Sequence, residues 1–155
     1  MKISNSRKGF TLIELLIVIV IIGILTTLLA TNFIGARQRA RDAKRKSELL
    51  QIQSALELYR ADAGRYPNTD EFPQCGSAGG AFQGPSGGTT YMQIVPCDPL
   101  TGVSYVYQGD GSTYSVYACL ENVSDKDLEN QGVTDGGPQD LCSTPGLVSY
   151  TVNNP

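Results

Sequence analysis

The most strongly patterned part of the chain is its beginning. Residues 10–30 form an apolar run in which Glu14 is the only charged side chain. As a helix these 21 residues span roughly 31 Å, enough for the hydrocarbon core of a bilayer. No proline follows until Pro67, and the apolar positions thin to a stripe. Leu49, Ile52, Leu56, Tyr59 and Ala63 recur at spacings of three and four, one face of an α-helix. Gly64 then supplies a C-cap and Pro67 a stop. The pattern predicts one helix from about Phe10 to Ala63, on the order of 80 Å long. What remains of the chain is too short to cover both halves of such a helix, so half of it needs another partner.

Beyond the helix the period changes to two. Segments 102–108, 112–120 and 147–152 are rich in β-branched and aromatic residues and read as strands. Val103, Tyr105 and Tyr107 alternate, as do Tyr114, Val116 and Ala118, and Val148, Tyr150 and Val152. Gly109-Asp110-Gly111 is a hairpin signal, and residues 68–90 and 121–146 read as loops. The fold class is α+β: a long N-terminal helix, its first half membrane-spanning, packed through the 49–63 stripe on a small antiparallel sheet.

Charge divides the chain in the same place. Residues 1–65 hold eleven Lys/Arg against five Asp/Glu, whereas residues 66–155 hold Lys126 against ten acids. An acidic second part argues against a nucleic-acid-binding head. The basic run Arg37, Arg39, Arg41, Lys44, Arg45 and Lys46 could meet DNA, lipid head groups or the acids of neighbouring copies. A solvated or lipid-facing helix segment is the preferred reading.

All four cysteines, Cys75, Cys97, Cys119 and Cys142, lie in the loop-rich part. An even number there points to disulfides and an oxidising compartment. Of three possible connectivities, local pairing of Cys75 with Cys97 and Cys119 with Cys142 is expected, each tie worth roughly 3 kcal/mol in the chain-entropy model. The chain has no histidine and no CxxC pair, which removes ordinary zinc sites and the Ser-His and Cys-His nucleophile arrangements. No enzyme is expected. Asp98 and Asp110, beside Pro99 and Gly111, read as turn residues. Asp125, Asp127, Glu129, Asp135 and Asp140 could gather oxygens for Ca²⁺. The EF-hand pattern fails, because Asn130 stands at the required Gly and Gly136 at the bidentate Glu. A solvated acidic loop is the simpler reading.

The segment "KGFTLIELLIVIVIIGIL" (8–25) resembles the leader and helix of type IV pilins and type II secretion pseudopilins. "LELYRADAGRYP" (56–67) and "VPCDPLTGVSYVY" (95–107) further resemble the major pseudopilin. The resemblance implies a prepilin leader at 1–9, a transmembrane and filament-core helix at 10–34, an amphipathic helix at 35–66 and a β-rich head at 67–155. It implies a peptidase cut between Gly9 and Phe10 on the cytoplasmic side and N-methylation of the new Phe10 amine. The head would be extracytoplasmic, and the subunit would join a surface pilus or a periplasmic pseudopilus. Implied partners are other copies of the chain, the prepilin peptidase, the inner-membrane assembly platform and, before assembly, lipid. The alternative is a minor tip subunit that binds DNA or a surface. Major pseudopilins use a loop in this part of the head for calcium, which bears on Asp125 and its neighbours.

Two features depart from the family pattern. Thr31-Asn32 stand where many pilins carry a proline. Six basic residues follow the span against three before it, the reverse of the positive-inside rule; the leader motif fixes the orientation instead. Glu14 falls at the family's acidic position. A carboxylate inside a membrane helix costs about 2.5–3.5 kcal/mol on insertion scales. A processed Phe10 amine, in the same helix or on a neighbour, would offset it and set an axial register.

Overall fold

The structure, a computed structural model, describes residues 9–76, 80–85, 87–125, 127, 142 and 147–154, without the side chains of 28–32. It divides into two units, Met1–Arg37 and Gln38–Pro155. One helix, α1 (Leu12–Ala63), contributes to both. It ends at Gly64, whose φ of 73° is the left-handed conformation that glycine adopts without strain, and whose N–H donates to the Arg60 carbonyl at 2.8 Å.

In the first unit the described part of α1 is apolar all round. Every large apolar side chain from Phe10 to Leu25 is at least 49% exposed. The hydroxyls of Thr26 and Thr27 donate back to the carbonyls of Ile22 and Gly23 one turn earlier, so neither is left unpaired on the apolar surface. Arg37 lies over the ring of Phe33, 4.4 Å from its centroid.

In the second unit α1 turns amphipathic. Leu49, Ile52, Ala55, Leu56 and Tyr59 are buried and Ala63 is partly so, which is the stripe expected from the spacing. They pack on an antiparallel sheet of order β3-β4-β5, with β3 at Val106–Gly109, β4 at Tyr114–Leu120 and β5 at Val148–Asn153. Tyr107 pairs with Val116 and Val116 with Val152, so the alternating set of the three strands shares one face. A short antiparallel hairpin, β1 (Phe82–Gln83) and β2 (Thr90–Met92), adds Phe82 to the core.

This core is built on tyrosine, and the hydroxyls explain how. Tyr105 donates to Glu48 at 2.5 Å, Tyr66 to Glu57 at 2.9 Å, and Tyr107 to the Pro67 carbonyl at 2.6 Å. Each ring buries its apolar body while the hydroxyl at its tip reaches a carboxylate on the helix or a backbone carbonyl. Burial, followed by the Glu48 carboxylate, pushes the Tyr105 hydroxyl well above the usual phenol range. Rings stack as well, Phe72 on Tyr107 with centroids 4.5 Å apart and Tyr66 edge-on to Tyr114 at 4.7 Å. Disulfides join Cys75 to Cys97 and Cys119 to Cys142.

The structure corrects the strand reading in two places. The first half of segment 102–108 is not strand: Val103 is 63% exposed, and Gly102 has φ 69°. The Asp98 N–H donates to the Val103 carbonyl and the Gly102 N–H to the Asp98 carbonyl, which closes a tight loop before β3 begins. Segment 68–90 is not only loop, since it contains β1 and the start of β2. The helix begins at Leu12, two residues after the expected Phe10. Most of 121–146 lies outside the described residues.

Gly109 is a position where only glycine fits. A Cβ there would overlap the Tyr107 hydroxyl and the Pro67 carbonyl, the two partners of a buried hydrogen bond. Gly109→Ala is expected to lower stability by about 1–3 kcal/mol, measured as a shift of the urea midpoint of the full chain in detergent.

Candidate functional site: the processing junction and the ionic cluster on α1

Gly9 and Phe10 are non-helical and exposed, Phe10 at 89%. The helix that follows opens on a capping box. Thr11 is the N-cap: its hydroxyl accepts from the Glu14 N–H at 3.3 Å. The Glu14 carboxylate reaches back and accepts from the Thr11 N–H at 2.9 Å and the Thr11 hydroxyl at 2.8 Å. Glu14 therefore has work within its own helix, next to the positive end of the macrodipole. The signal for this was present in the sequence as Thr-x-x-Glu before an apolar run. Among the described residues no helix is long and apolar enough to cross a membrane.

The second feature lies at 41–48. Among the described residues Arg45 is the largest fully buried side chain, 2% exposed. Its guanidinium donates to Asp98 at 2.6 Å, to Asp42 at 2.7 Å and to Glu121 at 2.8 Å. Arg41 donates from Nε to Glu121 at 2.7 Å and makes a second bond through Nη2. Asp42, also buried, accepts from the backbone N–H groups of Glu121 and Asn122 at 2.8–3.1 Å. The cluster thus clamps the loop before β3 and the chain leaving β4 onto one turn of helix. No buried side-chain polar atom among the described residues lacks a partner, the condition under which buried charge is tolerated.

The turn reading of Asp98 holds and is incomplete. Its Oδ1 accepts from the N–H groups of Leu100 and Thr101 at 2.9 and 2.8 Å, while Oδ2 takes the arginine. Asp110 caps the β3–β4 turn, accepting from Ser112 and Thr113 N–H at 2.8 and 2.7 Å. Burial works to raise the Asp98 pKa; Arg45 and the Thr101 and Leu100 donors outweigh it and hold it at about 2. Arg41 lowers Glu121 below its ordinary value against the effect of burial, with help from Arg45.

The basic run is therefore not simply a solvated face. Arg41, Arg45 and Lys46 are paired with acids of this same chain, and Lys44 lies 3.6 Å from Glu48. Of the acids considered for Ca²⁺, Asp125 and Asp127 both accept from Lys46 Nζ at 2.5 Å. Glu129, Asp135 and Asp140 lie outside the described residues. Among the described residues no group of three His, Cys, Asp or Glu side chains could hold a metal ion; the three carboxylates that do converge meet on Arg45. Sequence reasoning missed the cluster, although Asp42 inside an otherwise basic stretch was its visible sign.

Residues 4–30 match the model of the prokaryotic N-terminal methylation motif. Residues 32–133 match that of type II secretion system protein G. The chain belongs to the type II secretion system protein G family. The family match takes in the whole ionic cluster, β3 and β4, whereas Cys142 and β5 lie beyond it. Among proteins named type II secretion system core protein G, that of Vibrio cholerae is 30% identical over 76% of this chain and 82% of its own length. That of Klebsiella pneumoniae is 36% identical over 60% and 69%. The match to the Pectobacterium carotovorum protein, 40% identical, spans 42% of each chain, so there the likeness covers under half of the relative. No solved structure matches.

Two outcomes test the cluster. Arg45→Met leaves the buried Asp42 and Asp98 without their cation and Glu121 with Arg41 alone, and is expected to cost about 3–5 kcal/mol, read from chemical denaturation. The carboxylates of Asp98 and Glu121 are held below their ordinary values. For Asp98 the contribution is present above the ordinary carboxylate range and is lost as pH falls through about 2; that of Glu121 is lost in the same direction. An acid titration of stability should show that loss, and Asp98→Asn should flatten it while lowering stability at neutral pH.

Proposed function

We propose that this chain is a structural subunit of a type II secretion pseudopilus that polymerises through the first half of α1. The observation that carries the reading is the run from Phe10 to Leu25, apolar on every side and exposed throughout, placed directly behind a short basic segment and Gly9. Such a surface needs lipid first and neighbouring helices afterwards. Support comes from the methylation motif over 4–30 and from relatives named as core protein G.

On this reading the prepilin peptidase removes residues 1–9 on the cytoplasmic side and methylates the amine of Phe10. The chain is a single-pass membrane protein before assembly, with its head outside the cytoplasm, where disulfides persist. It then enters a periplasmic pseudopilus through the inner-membrane assembly platform. It is the substrate of a peptidase and not itself an enzyme. The tip-subunit reading with DNA as ligand is the weaker one, because the strongest cations of the basic run are already bound to carboxylates.

Glu14 then has two successive partners. In the single chain it closes the capping box with Thr11. In the filament it meets the Phe10 amine, its own or a neighbour's, and the cost of leaving either charge alone in lipid favours one axial register. Glu14→Gln separates the two roles, because Gln also serves as a capping-box acceptor but carries no charge. The variant is expected to insert, to be cut and to keep its helix by circular dichroism, yet to be largely missing from sheared filaments. Normal filament yield would remove the charge-pairing role. Mass spectrometry of the mature protein should give an N-terminus at methylated Phe10. An intact Met1, or a terminus between residues 30 and 36, in cells that contain the peptidase would overturn the processing scheme.

A further inference from the structure

The segment leaving β4 carries Glu121, Asp125 and Asp127 within seven residues. Carboxylates so close together repel one another and call for a cation. The resemblance to major pseudopilins implies that calcium serves this part of the head, so the described residues can be tested for fit. They do not fit. The place where Asp125 and Asp127 point together is filled by the ammonium group of Lys46, at 2.5 Å from an oxygen of each. The Lys46 side chain is 16% exposed, and its Nζ also lies 5.6 Å above the ring of Tyr150 on β5, with the ring's negative face toward it. A divalent ion between the same two carboxylates would sit against this ammonium, and like charges at that range exclude one another.

The rest of the segment is satisfied without a metal as well. Asp42 accepts from the N–H groups of Glu121 and Asn122. The Asn122 side-chain carbonyl accepts from Ser124 N–H at 3.3 Å, and Asp125 accepts from Asp127 N–H at 3.0 Å. Glu121 is taken by Arg41 and Arg45. Each described carboxylate of the segment thus already holds a cation supplied by α1 or a backbone donor.

We infer that Lys46 is the resident cation of this acidic loop, and that the loop is held to α1 by an internal ion pair in place of calcium. The cation is part of the chain, so the loop keeps its place whatever the concentration of divalent ions around it. Arg41, Arg45 and Lys46 together form one basic edge of α1 that receives Glu121, Asp125 and Asp127.

The test uses the full chain in detergent and a protease that cuts after acidic residues, with cuts within 121–127 mapped by mass spectrometry. The wild-type chain is expected to be cut at the same rate in chelator and in millimolar calcium, and to give no heat on calcium titration. Lys46→Met, which leaves the cutting sites unchanged, is expected to be cut within 121–127 about tenfold faster, the scale for losing a partly buried ion pair. Lys46→Arg keeps the cation and should stay near the wild-type rate. Faster cutting of the wild type in chelator, calcium uptake by the wild type, or a Lys46→Met chain as resistant as the wild type would each overturn the inference. The wild-type measurements need no variant, so they decide the calcium question even if Lys46→Met folds poorly.

Discussion

A guanidinium with almost no access to water dictates much of the second unit. Arg45 cannot be buried alone, and its partners come from three separate stretches of chain: Asp42 from the preceding turn, Asp98 from the loop before β3, and Glu121 from the end of β4. The sheet therefore meets the helix in one register. The apolar stripe supplies most of the favourable free energy of burial, but a stripe of Leu, Ile and Tyr tolerates sliding by a turn. The arginine narrows that freedom, because Asp42, Asp98 and Glu121 all lie within hydrogen-bond distance of it in this register. Tyr105 and Tyr66 repeat the principle further along the helix through Glu48 and Glu57.

The broad features were legible because they rest on periodicity. The 49–63 stripe, the Gly64 cap and the alternating sets on β4 and β5 each repeat often enough to be read from one sequence. The features that escaped rest on single pairings across long separations. Asp42 hints at a pairing, but "RARDAKRK" does not say that it and Arg45 turn inward while Arg39 stays outside; that depends on carboxylates and backbone N–H groups 53–80 residues away. Val103 was misplaced for a related reason. "GVSYVY" alternates like a strand, but Asp98 captures the backbone of the preceding turn and delays the sheet until Val106. β1 and β2, two and three residues long, carry too few alternations to declare themselves.

The two units solve opposite problems with one continuous helix. The first presents apolar side chains from Phe10 to Leu25 that are all exposed. The second buries an apolar core with stacked rings and pairs its buried charges, among the described residues, within the chain. The chemistry of α1 changes where the basic residues begin, so the sequence can devote one half to association with other molecules and the other to folding. The capping box shows the economy of the arrangement, since one carboxylate starts the helix and remains available at its exposed end.

The link between Cys119 and Cys142 carries a consequence for how the sheet is put together. Cys119 lies in the central strand, and its neighbour Leu120 pairs with Val148 at the start of β5. Along the backbone that pairing closes a detour of 28 residues, but through the sulfur bridge the path from Cys119 to Val148 runs by way of Cys142, six residues before the strand. Oxidation thus turns a distant pairing into a near one. The entropy of closing the loop falls on the cysteine bond, and β5 then docks almost as the second arm of a hairpin would. Once the bond is made, the third strand stays tethered beside its partner even when it is not paired.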